Sequence, residues 1–215
     1  SVPFRSRVDS VVSWSKLPEK QRPRLVMLYF SEPDQTGHNL GTSHPDIYTT
    51  VKEMDSLLGY LMESLEKLEI YDKLNMFVVS DHGMADVSSE RLIILDDYIS
   101  RMDDIYINGS GSHVQFDFKK DQEEYTEVFP EELKGISHCQ SWKKDEIPER
   151  FHFVNGNTGD YLLLADEGWF ITTRSKMDES PFMLEGMHGY DPRLPNMQGI
   201  FYAVGANIME GIQIP

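Results

Sequence analysis

Between Asp46 and Leu68 the apolar positions Ile47, Val51, Met54, Leu57, Leu58, Leu61, Met62, Leu65 and Leu68 recur at steps of three and four, while Glu53, Glu63, Glu66 and Lys67 take the opposite face. That spacing predicts a long amphipathic helix, and Pro45 ahead of it suits a first turn, where no N–H is needed. A shorter pattern from Arg7 to Trp14, with Val8, Val11, Val12 and Trp14 apolar, predicts a helix before the polar loop KLPEKQRPR. Two runs do not alternate at all: Leu25–Phe30 and Met76–Val79. Unbroken apolar runs of strand length fit strands covered on both faces, as in a parallel sheet. Strand, long helix, strand then reads as a βαβ unit with a right-handed crossover. Ser89–Ile99, with Leu92, Ile93, Leu95 and Ile99 apolar, is predicted as a further helix.

From about Met102 the pattern changes. SHVQFDFKK alternates like a half-exposed strand, QEEYTEVFPEEL reads as a short helix broken near Pro130, and HCQSWKK and DYLLLADEGW read as strands. GIFYAVGANI, residues 199–208, reads as a final buried strand. The expected fold class is therefore α/β: a mostly parallel sheet flanked by helices, with a small α+β insert. The expected division is an α/β core portion over 1–102, the insert over 103–165, and a return to the core over 166–215.

A chain of 215 residues with 40% hydrophobic positions suits one such domain. No apolar stretch approaches the roughly 20 residues needed to cross a bilayer, so no transmembrane segment is expected. The 36 acidic against 20 basic residues give a formal net charge of -16. That field repels a polyphosphate backbone, so a polymeric nucleic acid is not an expected partner. A small anionic substrate would need a cation to cancel the field locally. Cys139 is the single cysteine, so the chain forms no internal disulfide.

In open α/β sheets, ligands bind beyond the carboxyl ends of the strands. Both unbroken runs end there in an acid and a histidine: Asp34 and His38 in EPDQTGH, Asp81 and His82 in SDHG. On parallel strands these four side chains share one rim, and imidazole nitrogen with carboxylate oxygen suits zinc. His188 in EGMHGYDP, set between Gly186 and Gly189, is a candidate third ligand. Two divalent ions about 4 Å apart would hold both the attacking and the leaving oxygen of a phosphoryl group. Each feature alone has a plainer reading. Asp and His four residues apart recur by chance, SDHG fits an Asx-capped turn, and His188 fits an ordinary loop. Glu32 reads as a rim charge, His44 as a hydrogen-bonding loop residue, His113, His138 and His152 as surface or packing residues, and Trp169 as a core lid. Asp191 is a candidate partner for orienting an imidazole. The two acid–histidine pairs at successive strand ends are what favour a metal.

EPDQTGH, SDHGM and HGYDPRLPNMQGIFYAVG together resemble the nucleotide pyrophosphatase/phosphodiesterase family of the alkaline phosphatase superfamily, and PERFHF and LADEGW are similar to family patterns as well. The resemblance implies an alkaline-phosphatase-like core of which the N-terminal strand–helix unit is absent. It implies two zinc ions, one held by Asp34, His38 and His188, the other by Asp81 and His82 with two ligands upstream. One of those two is a threonine that is also the nucleophile, and Thr36, Thr42, Thr49 and Thr50 lie in the wrong segments for it. The implied reaction is hydrolysis of a phosphodiester or pyrophosphate bond through a covalent phospho-threonine, with a small phosphodiester or nucleotide as substrate. The missing N-terminal part of the same protein is an implied partner, and the implied location is periplasmic or secreted. The competing readings are a catalytically inactive metal-binding or scaffold fragment and a phosphomutase or sulfatase branch of the superfamily.

Overall fold

The computed structural model describes residues 2–120, 123–179 and 184–213. In chain order its elements are α1 (Phe4–Ser15), α2 (Asp34–Leu40), α3 (Pro45–Glu66), β1 (Asn75–Val79), β2 (Ala85–Asp86), β3 (Leu92–Ile94), β4 (Ile105–Ser110), β5 (His113–Phe118), α4 (Glu123–Lys134), β6 (Cys139–Lys143), β7 (Tyr161–Ala165), β8 (Phe170–Thr172), α5 (Arg174–Glu179), β9 (Gly186–Met187) and β10 (Phe201–Gly205). They form two compact units. Unit 1 comprises the chain up to Thr36, Ser43–Asp81, and the chain from Gly199 on; unit 2 comprises Gly37–Thr42 and His82–Gln198. The cuts fall inside α2, between Thr42 and Ser43, between Asp81 and His82, and between Gln198 and Gly199.

In unit 1 the period of three and four becomes packing. Val8, Val11 and Val12 of α1 meet Leu61 and Leu65 of α3, and Val26, Leu28 and Phe30 lie against them. His44 starts α3 as its N-cap, Nδ1 accepting from the Asp46 amide at 3.2 Å, which satisfies an otherwise orphaned helix donor. The expected strand over 25–30 is not formed. Its even positions face the core, while Leu25, Met27 and Tyr29 are 80%, 89% and 66% exposed. Extended backbone becomes a strand only when a neighbour takes its hydrogen bonds, and an apolar run does not say where that neighbour is. The second expected strand is β1, but it pairs antiparallel with β10, from Asn75 opposite Gly205 to Val79 opposite Phe201. The predicted parallel βαβ unit is therefore replaced by an antiparallel pair. Neither partner is covered on both faces: Phe77, Val79, Phe201 and Tyr202 are all exposed, contrary to the buried strands expected at 76–79 and 199–208.

Unit 2 is built on an antiparallel sheet in the order β4-β5-β7-β6. Every residue of β7 is buried. α4 packs through Tyr125, Phe129 and Leu133, and the Phe129 ring meets Phe116, Phe118 and Tyr161 edge-on at 5.2, 5.3 and 5.4 Å. Pro130 sits inside α4 without breaking it over the described residues 123–134. The burial of Phe129 and Leu133 offsets the lost hydrogen bond. Gln122, the first residue of the expected helix, lies outside the described residues.

The helix expected over 89–99 is not formed. Leu92–Ile94 is β3, paired parallel with β8, and Leu95–Asp97 is a single 3-10 turn. A short run such as LIIL suits either state, and here the β8 backbone decides it. This is the one parallel pair among the described residues, so the mostly parallel sheet of the sequence reading is not what they show. Among them, too, no helix is long and apolar enough to cross a membrane.

Candidate metal centre

Three of the five ligand candidates belong to unit 2, and its backbone brings them together. β2 and β9 pair antiparallel, with Ala85 opposite Met187 and Asp86 opposite Gly186. Extending that register carries the residues just before Ala85 alongside those just after Met187. The Gly83 amide donates to the Met197 carbonyl at 3.1 Å. His82 and His188 consequently stack, ring centroids 3.5 Å apart and planes within 14°. The end of α2 is the third element: the Glu185 amide donates to the His38 carbonyl at 2.9 Å, and the His38 and His188 rings lie 5.0 Å apart. Gly186 permits this approach. A Cβ there would collide with the Gly37 carbonyl oxygen and come within 2.8 Å of the Met84 sulfur.

The ring nitrogens are oriented as well. His38 Nδ1 lies 2.8 Å from the Gly186 carbonyl oxygen, and His82 Nδ1 lies 2.8 Å from that of Gly83. A carbonyl only accepts, so each Nδ1 carries the hydrogen, and in the neutral ring Nε2 keeps its lone pair. Fixing one ring nitrogen on a backbone carbonyl while the other stays basic is the pattern that orients metal-binding histidines. An imidazole cluster held this way fits zinc chemically.

Asp34 and Asp81 belong to unit 1. Asp34 opens α2 one turn ahead of His38, hence on the same helix face, and Asp81 directly precedes His82 in the chain. Glu32 is no rim charge: its Oε2 accepts from the Thr36 amide at 3.0 Å and the Thr36 hydroxyl at 2.8 Å. The Thr36 hydroxyl is thereby engaged in holding the start of α2.

Asp191 does not orient an imidazole. Both its oxygens accept from Arg150, at 2.7 and 2.6 Å, and Oδ1 also accepts from the Arg193 amide at 3.0 Å. The hydrogen bonds from Arg150 hold this carboxyl below the usual carboxylate range, and Arg150 is held above its own ordinary value in return. Burial pushes the His113 imidazole down, against an opposing hydrogen bond to the Gly189 backbone. His138, at φ 61°, stacks on Trp169 at 3.8 Å, and His152, at φ 48°, caps a 3-10 turn. The Trp169 carbonyl accepts from the Tyr190 hydroxyl at 2.8 Å. A largely apolar cavity of about 230 Å³, walled by Phe151, Phe153, Leu162, Leu164 and Pro192, borders Gly189 and Tyr190. The residues that sequence reasoning missed are those gripping the loop after His188: Arg150 and His113.

Comparison with known proteins places this arrangement in context. A family model described as type I phosphodiesterase / nucleotide pyrophosphatase matches residues 1–191. Human ectonucleotide pyrophosphatase/phosphodiesterase family member 5 is 36% identical over 206 residues, 95% of this chain and 41% of that protein. A venom phosphodiesterase of Macrovipera lebetinus is 31% identical over 213 residues, 95% of this chain and 24% of that protein. The solved structure of human ectonucleotide pyrophosphatase/phosphodiesterase 5 aligns with a TM-score of 0.85 at 34% identity, covering 95% of this chain and 53% of that one. The murine protein, solved as an inactive threonine-to-alanine variant in complex with AMP, aligns with a TM-score of 0.85 at 33% identity, covering 96% of this chain and 53% of that one. The chain thus spans about half or less of the length of these relatives.

Proposed function

Because this chain belongs to the type I phosphodiesterase / nucleotide pyrophosphatase family, we propose that it carries most of a two-zinc centre in an enzyme that hydrolyses phosphodiester or pyrophosphate bonds of nucleotides. The observation that carries the reading is the imidazole cluster: His38 and His82 each tied through Nδ1 to a carbonyl, with His188 between them. Asp34, His38 and His188 would hold one ion, and Asp81 and His82 would contribute to the other. When bound, the ions supply Lewis acidity to the phosphoryl oxygens and to the attacking and leaving oxygens.

This chain's own part is orientation. The Gly186 and Gly83 carbonyls set the tautomers of His38 and His82, and the β2–β9 pairing sets the spacing of His82 and His188. The nucleophile is a threonine outside residues 1–215, forming a covalent phospho-threonine. The murine relative that is inactive with a threonine replaced by alanine, and was solved with AMP, supports both the nucleophile and the nucleotide. A location outside the cytoplasm belongs to the same proposal, on the relatives' names: an ecto-enzyme and a venom enzyme.

The test is metal content and turnover of the full-length protein. Two zinc ions per chain are expected, with hydrolysis of bis(p-nitrophenyl) phosphate abolished by chelation and restored by zinc. His188→Ala or Asp34→Ala should remove one zinc equivalent and most turnover. Unchanged metal content in either variant would count against the assignment. Zinc at full occupancy without turnover on any nucleotide diester would favour an inactive metal-binding scaffold instead.

A further inference from the structure

We propose that Arg150 is a positioning residue for the His188 loop, clamping through Asp191 the end that His38 does not hold. The inference rests on the metal reading above and assigns that site a residue outside its ligand set. The loop is short and its near end is fixed: Gly186 lies in β9, paired with Asp86, and its carbonyl takes the Nδ1–H of His38. Past His188 the chain turns at Gly189 with φ +85°, where a Cβ would lie 2.7 Å from the Ser112 hydroxyl oxygen. Only glycine fits that combination of handedness and space. His113 hydrogen-bonds the Gly189 backbone, and the buried Tyr190 anchors its hydroxyl on the Trp169 carbonyl. Asp191 then meets Arg150 in a two-pronged pair at 2.7 and 2.6 Å.

The ion pair is the link with a defined direction. Two parallel N–H···O bonds fix the plane of the carboxylate as well as its distance, which a lysine cannot do. Arg150 is itself held: it lies in the 3-10 turn Glu149–Phe151, with its guanidinium 4.1 Å over the Phe151 ring. Asp191 in turn accepts from the Arg193 amide, and the Leu194 amide donates to its carbonyl, so the pair also closes the turn that follows. Between a fixed Gly186 and a fixed Asp191, His188 has little freedom to leave its place beside His38 and His82. The plainer reading is a staple that stabilises the fold and does nothing for the metal. The two differ in what the loss of the pair changes.

The experiment measures zinc affinity by chelator competition in the full-length protein, for wild type, Arg150→Met, Arg150→Lys and Asp191→Asn. Melting of the metal-free proteins serves as the folding control. The clamp predicts that one of the two zinc sites weakens by about 10–100-fold in Arg150→Met and Asp191→Asn, the range expected when a group that orients a ligand is removed. Arg150→Lys should fall between them and wild type, and the other zinc site should keep its affinity. A staple predicts lower melting temperatures with zinc affinity unchanged, and that result overturns the proposal while leaving the metal reading intact. A wild-type protein that binds no zinc overturns both.

Discussion

Unit 2 closes around its apolar side chains; unit 1 leaves many of its own bare. The β7 run YLLLA is buried at every position, with α4 on the same core. The runs of unit 1 look equally apolar in sequence, yet Met27, Phe77, Val79 and Phe201 face outward. The contrast shows what an apolar run encodes. It says that a backbone is meant to be covered, and it does not say which segment does the covering. In unit 2 the cover is within the described residues; in unit 1 Met27, Phe77, Val79 and Phe201 have little of it there.

The largest test of that contrast is truncation. Leu163→Ala, in the core of unit 2, should cost about 2–5 kcal/mol in denaturant unfolding. Val79→Ala, on the bare face of unit 1, should stay within about 0.5 kcal/mol. Equal costs would mean that the two units are not packed differently. The half-buried thiol of unit 2 follows the same trend. Burial pushes Cys139 up to about 12, so at about pH 8 its alkylation should run slower than in the unfolded chain. Alkylation as fast as in the unfolded chain would show that the fold does not shield this thiol.

On the unit 1 side, Met27→Lys combined with Phe201→Lys should markedly reduce binding of a hydrophobic dye to the 215-residue chain. Val128→Lys, at an isolated exposed position of unit 2, should barely change it. Dye binding that responds equally to both would place the bare surface elsewhere. The smallest effect concerns the Arg150–Asp191 pair. Because Asp191 is held below its ordinary value, its contribution to stability is present above the usual carboxylate range and lost as pH falls through the lower folded value. Arg150→Met should therefore lower the melting temperature slightly at neutral pH, and the difference should vanish in strong acid. A difference that persists there would mean that packing of the arginine, not the pair, was lost.

The helices α1 and α3 were legible because a period of three and four leaves one solution, and the strand at 113–118 because it alternates; HCQSWKK and DYLLLADEGW likewise hold the strands at 139–143 and 161–165. Leu92–Asp97 was not legible. Its run is too short to show a period, and a β8 backbone some 80 positions on decides its state. The parallel pairing of 25–30 with 76–79 was inferred from their apolar runs and the helix between them, and β1 pairs with β10 instead. At the site, His38 and His82 were legible as chemistry placed after apolar runs and His188 as a histidine set between two glycines, and the structure brings the His188 ring beside each of the other two. Nothing in the spacing of Arg150 and Asp191, 41 positions apart, pointed to their pair. A guanidinium fork finds its carboxylate only once the loops have folded.

The metal reading stands on His38 and His82, whose Nε2 atoms keep their lone pairs, and on the His188 ring packed beside both. The most direct measurement is anomalous diffraction at the zinc edge from crystals of the full-length protein grown with zinc. Anomalous peaks are expected at bonding distance from the Nε2 atoms of His38 and His82 and from a ring nitrogen of His188. Zinc found elsewhere on the protein, or these rings hydrogen-bonded to each other with no peak beside them, would contradict it.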